Sequence, residues 1–147
     1  MTITTDDVIG AWKLSSATAV FADDERRPEF GPEAAGYLSY SANGIVTAIL
    51  GDMTRPVSGV SDPQRVSRED QAAMAHGLIA YAGPYTVNAD GTVIHHVDIA
   101  LFTDWQGKPQ RRHAQITGNE LRITGSSRTS PDGRTFHSEL IWERLTP

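Results

Sequence analysis

Cysteine is absent from the 147 residues, and so is any long uninterrupted apolar run. The first absence excludes disulfides, thiolate metal ligands and a cysteine nucleophile. The second excludes a membrane-spanning helix, which needs ~18 or more consecutive apolar residues. The acidic residues at the start lack the basic and apolar segments of a signal peptide. The expected location is therefore the cytoplasm, with no membrane partner.

Basic residues are also few, with 13 lysines and arginines against 18 aspartates and glutamates and a formal net charge of −5. They are scattered along the chain, whereas a nucleic-acid surface needs them clustered on one face. Nucleic acid is therefore not an expected partner. The length is that of one domain with one core, residues 1–147.

Short alternations of apolar and polar residues, bounded by turn residues, dominate the chain and are typical of antiparallel strands. Eight segments show this pattern: residues 12–21, 36–41, 45–50, 84–87, 93–102, 110–117, 120–126 and 135–144. A short helical turn is expected before Gly10. One longer helix is predicted over about residues 67–81, capped by Ser67, with Met74, Leu78 and Tyr81 on its buried stripe.

Two tight hairpins are predicted. Asn43-Gly44 favours a two-residue type I′ turn, a register that places Tyr40 and Thr47 on one face. Gly118-Asn119 predicts the second hairpin. Eight antiparallel strands with such short connections close best as an up-and-down barrel, which leaves no exposed edges and encloses room for side chains or one small ligand.

Six blocks follow one another in a fixed order: GAWKL at 10–14, GYLSYSANG at 36–44, YAGPY at 81–85, VIHHVDIALF at 93–102 with Trp105, Arg111-Arg112, and LIWER at 140–144. In these blocks the sequence resembles the bacterial and fungal lipocalin-like domain proteins over nearly its whole length. The resemblance implies one calycin-type barrel with a central cavity, but no particular activity. It also implies that Trp12 closes the barrel floor and that Arg144 packs over it, as structural residues.

Alternation along each strand predicts which polar side chains face the interior. His95 shares a face with Val93, Val97, Ile99 and Leu101, whereas His96 lies with Asp98 on the other. Adjacent histidines on opposite faces cannot share a metal ion, and no metal or cofactor is expected. The same reasoning turns Arg112, Ser138 and Tyr40 inward, and Thr47 with them.

Arg112 is the most informative of these residues, because an inward guanidinium must be paired. Either a ligand oxyanion supplies the charge, or Glu139 or Asp98 does so from a face assigned differently. His95 is either a proton donor and acceptor or a core histidine satisfied by a hydrogen bond. Trp105 is expected in a loop at the barrel rim, and Tyr81 and Tyr85 where the helix meets the barrel.

These residues predict a barrel that binds a small hydrophobic or anionic metabolite, with His95, Arg112 and Tyr40 as candidate catalytic residues. Further ligand contacts are expected from Thr47, Tyr81, Tyr85, Trp105 and Ser138. If catalytic, it would be a cofactor-independent cyclase, isomerase or lyase acting on an oxygenated hydrophobic compound such as a polyketide intermediate. The alternatives are a carrier or sensor, or a partner-binding domain with a filled interior; a homodimer is left open.

Overall fold

Eight antiparallel strands form a closed barrel in the computed structural model, which describes residues 2–146. The strands in chain order are β1 (Gly10–Phe21), β2 (Arg26–Pro28), β3 (Ala34–Tyr40), β4 (Ile45–Asp52), β5 (Leu78–Val87), β6 (Thr92–His96), β7 (Ile99–Ala100), β8 (Pro109–Thr117), β9 (Glu120–Gly125), β10 (Arg128–Thr129) and β11 (Thr135–Arg144). The short strands β2, β7 and β10 are additions to this ring and pair with β1, β5 and β11, respectively. The barrel runs β1-β3-β4-β5-β6-β8-β9-β11 and confirms the predicted all-β fold.

The barrel closes where β1 pairs with the last strand, β11. Trp12 lies opposite Leu38 of β3 on one side and opposite Arg144 of β11 on the other. Each strand of the barrel therefore has two hydrogen-bonded neighbours, and the ring has no unpaired edge strand.

The helices are shorter than the strands. The predicted N-terminal turn is present as α1 (Thr5–Val8), and the second helix, α2, spans Arg68–His76 with the Ser67 hydroxyl accepting from Asp70 N. The prediction that this helix reaches residue 81 is wrong. Gly77 ends it, and Leu78 begins β5, which pairs with β4 over its first seven residues. Within residues 2–146, neither helix is long and apolar enough to cross a membrane.

The first hairpin differs from its prediction by one residue. Tyr40 pairs with Val46, and Ser41 N donates to the carbonyl of Ile45, so the loop consists of the three residues 42–44. Gly44 alone in it has a positive φ, of 94°. Ser41 fixes this geometry, because its carbonyl accepts from Gly44 N and its hydroxyl accepts from Ile45 N. The shift turns Thr47 to the exposed outer face of β4. The second hairpin has the predicted two-residue turn, pairing Thr117 with Glu120.

The stretch VIHHVDIALF is not one continuous strand. Strand β6 ends at His96, and the chain crosses so close to β5 that a Cβ on Gly83 would lie 2.0 Å from the carbonyl oxygen of His96. The alternation is lost beyond this crossing. Ile99 and Leu101 are consequently exposed, and their predicted inward orientation is wrong.

Trp12 and Arg144 close one end of the barrel beside α1. The fully buried indole of Trp12 donates to the carbonyl of Val8 at 2.9 Å, and the Arg144 guanidinium lies 4.1 Å from its ring centroid. The guanidinium also donates to the carbonyls of Ile9 and Asp7. Both residues have the structural roles that the family resemblance implies.

Candidate functional site

A cavity of about 310 Å³ lies at the opposite end of the barrel from Trp12. Its walls combine apolar side chains with several arginines and one carboxylate; they are formed by Glu29, Phe30, Ile79, Trp105, Pro109, Gln110, Arg111, Arg112, Ile123, Gly125, Ser126, Arg128, Ser138 and Leu140. A neighbouring cavity of about 520 Å³ shares five of these residues and extends to the end of α2. The size and the mixed lining are those of a small-molecule site.

A hydrogen-bonded chain of three aromatic side chains crosses the interior next to this cavity. The Tyr40 hydroxyl lies 2.7 Å from Nε2 of His95, and the Tyr81 hydroxyl lies 2.6 Å from Nδ1 of the same ring. The three residues come from β3, β5 and β6, and all are buried. His95 thus faces inward as predicted, but it is only 2% exposed and both ring nitrogens are occupied.

The donor and acceptor in each hydrogen bond of this chain follow from the groups that are available. A neutral imidazole has one donor and one acceptor nitrogen. His95 is the one hydrogen-bond partner that the Tyr40 hydroxyl has among residues 2–146, so the buried O–H of Tyr40 is satisfied only by donating to Nε2. Nδ1 then carries the hydrogen and donates to the Tyr81 oxygen. The hydroxyl hydrogen of Tyr81 remains available for another acceptor.

His95 is held in its neutral form. Burial, with smaller contributions from the charges of Arg112 and His96, lowers the pKa of His95 from 6.5 to about 3. Burial also raises the pKa of Tyr40 well above 10 and raises that of Tyr81, where the nearby Arg112 charge acts in the opposite direction. At neutral pH the chain is therefore an uncharged set of donors and acceptors.

Arg112 lines the cavity from β8, as its predicted inward orientation requires. Its guanidinium donates to the carbonyl of Arg111 at 3.1 Å and, weakly, to the side-chain oxygen of Gln110 at 3.4 Å. No carboxylate in residues 2–146 pairs with it. The two predicted alternatives are elsewhere, since Glu139 binds Arg26 and Arg122, and Asp98 is exposed.

Glu29, Arg128 and Ser138 also line the cavity and form a second polar cluster. Oε1 of Glu29 accepts from Nη2 of Arg128 at 2.6 Å and from the Ser138 hydroxyl at 2.7 Å. The same Nη2 lies 2.6 Å from the Ser138 oxygen. The other carboxylate oxygen of Glu29, Oε2, is buried and has no partner in the described part of the chain.

The remaining predicted ligand contacts separate into two groups. Trp105 lies at the rim in a 3₁₀ turn and lines the cavity, with Tyr81 edge-on at 5.9 Å between ring centroids. Ser138 lines it as well. Tyr85 instead packs against Tyr40 and donates to the carbonyl of Ser41, and Thr47 is on the outside of the barrel.

Sequence reasoning missed Glu29, Arg128 and Gln110. Gln110 could have been found, because it lies two residues before Arg112 on the same face of β8. Glu29 follows β2 in a loop and Arg128 begins a two-residue strand, so alternation offers no signal there. Within residues 2–146, no three histidine, aspartate or glutamate side chains are grouped to hold a metal ion.

Comparison with known proteins agrees with the barrel. None of the curated proteins with which the sequence was compared matches it. A family model described as a lipocalin-like domain matches residues 9–145, which extend from just before β1 to just after β11. The chain belongs to the lipocalin-like domain family.

Proposed function

We propose that the cavity beside Arg112 binds a small, largely apolar molecule that carries an anionic oxygen group, such as a carboxylate, enolate or phenolate. The lipocalin-like barrel itself suggests small-molecule binding. The observation that carries the proposal is Arg112, a cavity-lining cation without a carboxylate partner among residues 2–146. A half-buried guanidinium has lost part of its hydration, and a ligand oxyanion would compensate for that loss.

The rest of the lining supports the same ligand class. Ile79, Ile123, Leu140 and the rings of Phe30 and Trp105 supply apolar contact. The free hydroxyl hydrogen of Tyr81 lies near Arg112 and could donate to the same oxyanion. An apolar wall with a few convergent donors binds a hydrophobic body and fixes one polar group on it.

Substitution of Arg112 tests this proposal. In Arg112→Gln the affinity for 2-naphthoate is expected to fall roughly tenfold or more, because a hydrogen bond to a charged group contributes about 1.5–3 kcal/mol. Affinities are measured by displacement of 8-anilinonaphthalene-1-sulfonate. The neutral analogue 2-naphthalenemethanol should bind the wild type and the variant equally.

Arg122→Gln is the matched control, since Arg122 lies on the outer face of β9 and its removal changes the net charge equally. It should bind 2-naphthoate as the wild type does. Unchanged naphthoate affinity in Arg112→Gln would remove Arg112 from the site and overturn the proposal.

The hydrogen-bond chain favours a second candidate, a cofactor-independent isomerase or cyclase. The free carboxylate oxygen of Glu29 would take the proton from the carbon next to a carbonyl group, and Tyr81 would donate its hydroxyl proton to the carbonyl oxygen as the enol forms. Arg112 would stabilise the negative charge that develops at the oxygens. His95, with its pKa of about 3, is a poor proton acceptor at neutral pH and would act by positioning Tyr81. The predicted substrate class, an oxygenated hydrophobic compound such as a polyketide intermediate, is compatible with this chemistry.

Exchange of carbon-bound hydrogen tests the catalytic candidate. In D₂O the wild type is expected to accelerate deuterium uptake next to the ketone of 4-oxo-4-phenylbutanoate, as followed by NMR. Tyr81→Phe should lose about 100-fold or more of this rate with its affinity largely kept, since general acid catalysis contributes about 10²–10⁴-fold. If binding depends on Arg112 but deuterium uptake is no faster than in buffer, the catalytic candidate is excluded and a carrier or sensor function remains.

A further inference from the structure

The cavity has a second recognition point besides Arg112, and we infer that its ligand carries a hydroxyl group which donates to Glu29. This inference rests on the proposed function, because it assigns a second polar group of the same ligand. The ligand class is then a hydroxylated, largely apolar acid rather than a simple hydrophobic anion.

The carboxylate of Glu29 is fixed in orientation by its neighbours. Arg128 and Ser138 both donate to Oε1, at 2.6 and 2.7 Å, and the Glu29 side chain is only 12% exposed. Two short bonds to one oxygen prevent the carboxylate from turning freely. The position of Oε2 is therefore defined before any ligand arrives.

Oε2 is the atom that requires a partner. It is buried, and no donor within residues 2–146 reaches it. A buried acceptor without a donor costs free energy, so groups of this kind are usually satisfied in the functional state of a protein. Glu29 lines both cavities at this end of the barrel, so a bound molecule is the natural source of the missing donor.

Local charge selects a neutral donor rather than an ammonium group. Arg128 already pairs with Glu29 through Oε1, and Arg112 is a further cation in the lining of the same cavity. A further cation would be repelled. A hydroxyl donates one hydrogen bond without adding charge and matches the single free oxygen.

Matched ligands test the inference in the unmodified protein. The pairs are 6-hydroxy- and 6-methoxy-2-naphthoate, which are rigid, and 12-hydroxy- and 12-methoxydodecanoate, which are flexible and reach further. A methoxy group accepts hydrogen bonds but cannot donate one. In at least one pair the hydroxy acid is expected to bind about tenfold or more tightly than its methyl ether, because a hydrogen bond to a charged acceptor contributes about 1.5–3 kcal/mol.

The variant Glu29→Gln places an amide where the carboxylate lies, and its N–H₂ group can occupy the Oε2 position. The preference for the hydroxy acid should disappear or reverse in favour of the ether. Glu33→Gln is the control, because Glu33 is an exposed acid in the same loop and should leave the preference unchanged. Thermal unfolding of each variant shows that it is folded.

Failure of the hydroxyl contact to Glu29 and failure of the proposed function give different results. If both acids bind through Arg112 but neither pair shows a hydroxyl preference in the wild type, the second recognition point is wrong and the proposed function stands. If neither acid binds, or if Arg112→Gln has no effect on them, the proposed function itself fails and the inference with it.

Discussion

Acidification from pH 7 to pH 5 is expected to lower the free energy of unfolding by about 2 kcal/mol through His95 alone. Burial and the nearby Arg112 lower the pKa of His95 to about 3 in the folded protein. In the unfolded chain a histidine titrates near 6.5. The unfolded state therefore binds a proton that the folded state excludes. The stability from neutral His95 is fully present above pH 6.5 and is lost as the pH falls toward 3.

Urea unfolding at intervals between pH 7 and pH 5 measures this effect. His95→Gln is expected to flatten the pH dependence by about 1.4 kcal/mol per unit below pH 6, because one proton is no longer taken up on unfolding. Of the groups that contact His95, the phenols of Tyr40 and Tyr81 have raised pKa values and stay neutral in this range. His96→Gln is the matched control, because it removes the adjacent histidine on the outer face of β6.

Equal pH slopes for the wild type and His95→Gln would contradict the assignment. The carboxyls whose pKa is lowered by hydrogen bonding or charge, among them Asp52, Asp90 and Asp132, titrate below this window. Their effect on stability is thus separated from that of the histidine.

Replacement of Trp12 by alanine is expected to destabilise the barrel by about 3–5 kcal/mol, the usual cost of removing a buried tryptophan. The indole is fully buried at the closed end, donates to Val8 and supports the guanidinium of Arg144. Its loss would open a cavity and leave the Val8 carbonyl and Arg144 without their partner. Urea unfolding at pH 7 measures the change.

Phenylalanine substitutions separate packing from hydrogen bonding. Trp12→Phe loses the bond to Val8 and should cost at least about 1 kcal/mol more than Trp142→Phe. The indole nitrogen of Trp142 is equally buried but has no partner among residues 2–146, so its removal relieves an unsatisfied donor. Equal losses for the two variants would show that the Val8 bond contributes nothing.

Strand alternation was sufficient to predict much of the site. It turned His95, Arg112, Tyr40 and Ser138 into the barrel and placed His96 outside, and the structure agrees on each. These assignments hold because they depend only on the two-residue period of a strand, which each segment carries in its own residues.

Register and long-range contacts were not readable from the sequence. Thr47 was misplaced because hydrogen bonds of Ser41 select a three-residue loop over the type I′ turn that Asn43-Gly44 favours. Ile99 was misplaced because the crossing of Gly83 interrupts the strand, an event set by a neighbouring strand. The bond between Glu29 and Arg128 joins a loop residue to a two-residue strand 99 positions away, and neither segment is long enough to show a period.

The pairing of β1 with β11 also constrains how the protein folds. Trp12 of the first strand pairs with Arg144 of the last strand. The barrel can therefore close only after nearly the whole chain is in place. Loop closure over such a separation is entropically slow, and topologies dominated by distant pairings fold slowly. Until β11 arrives, β1 and β9 each present a bare edge that can capture another chain. Association between incomplete barrels is thus a hazard of the folding route that ends when the final strand docks.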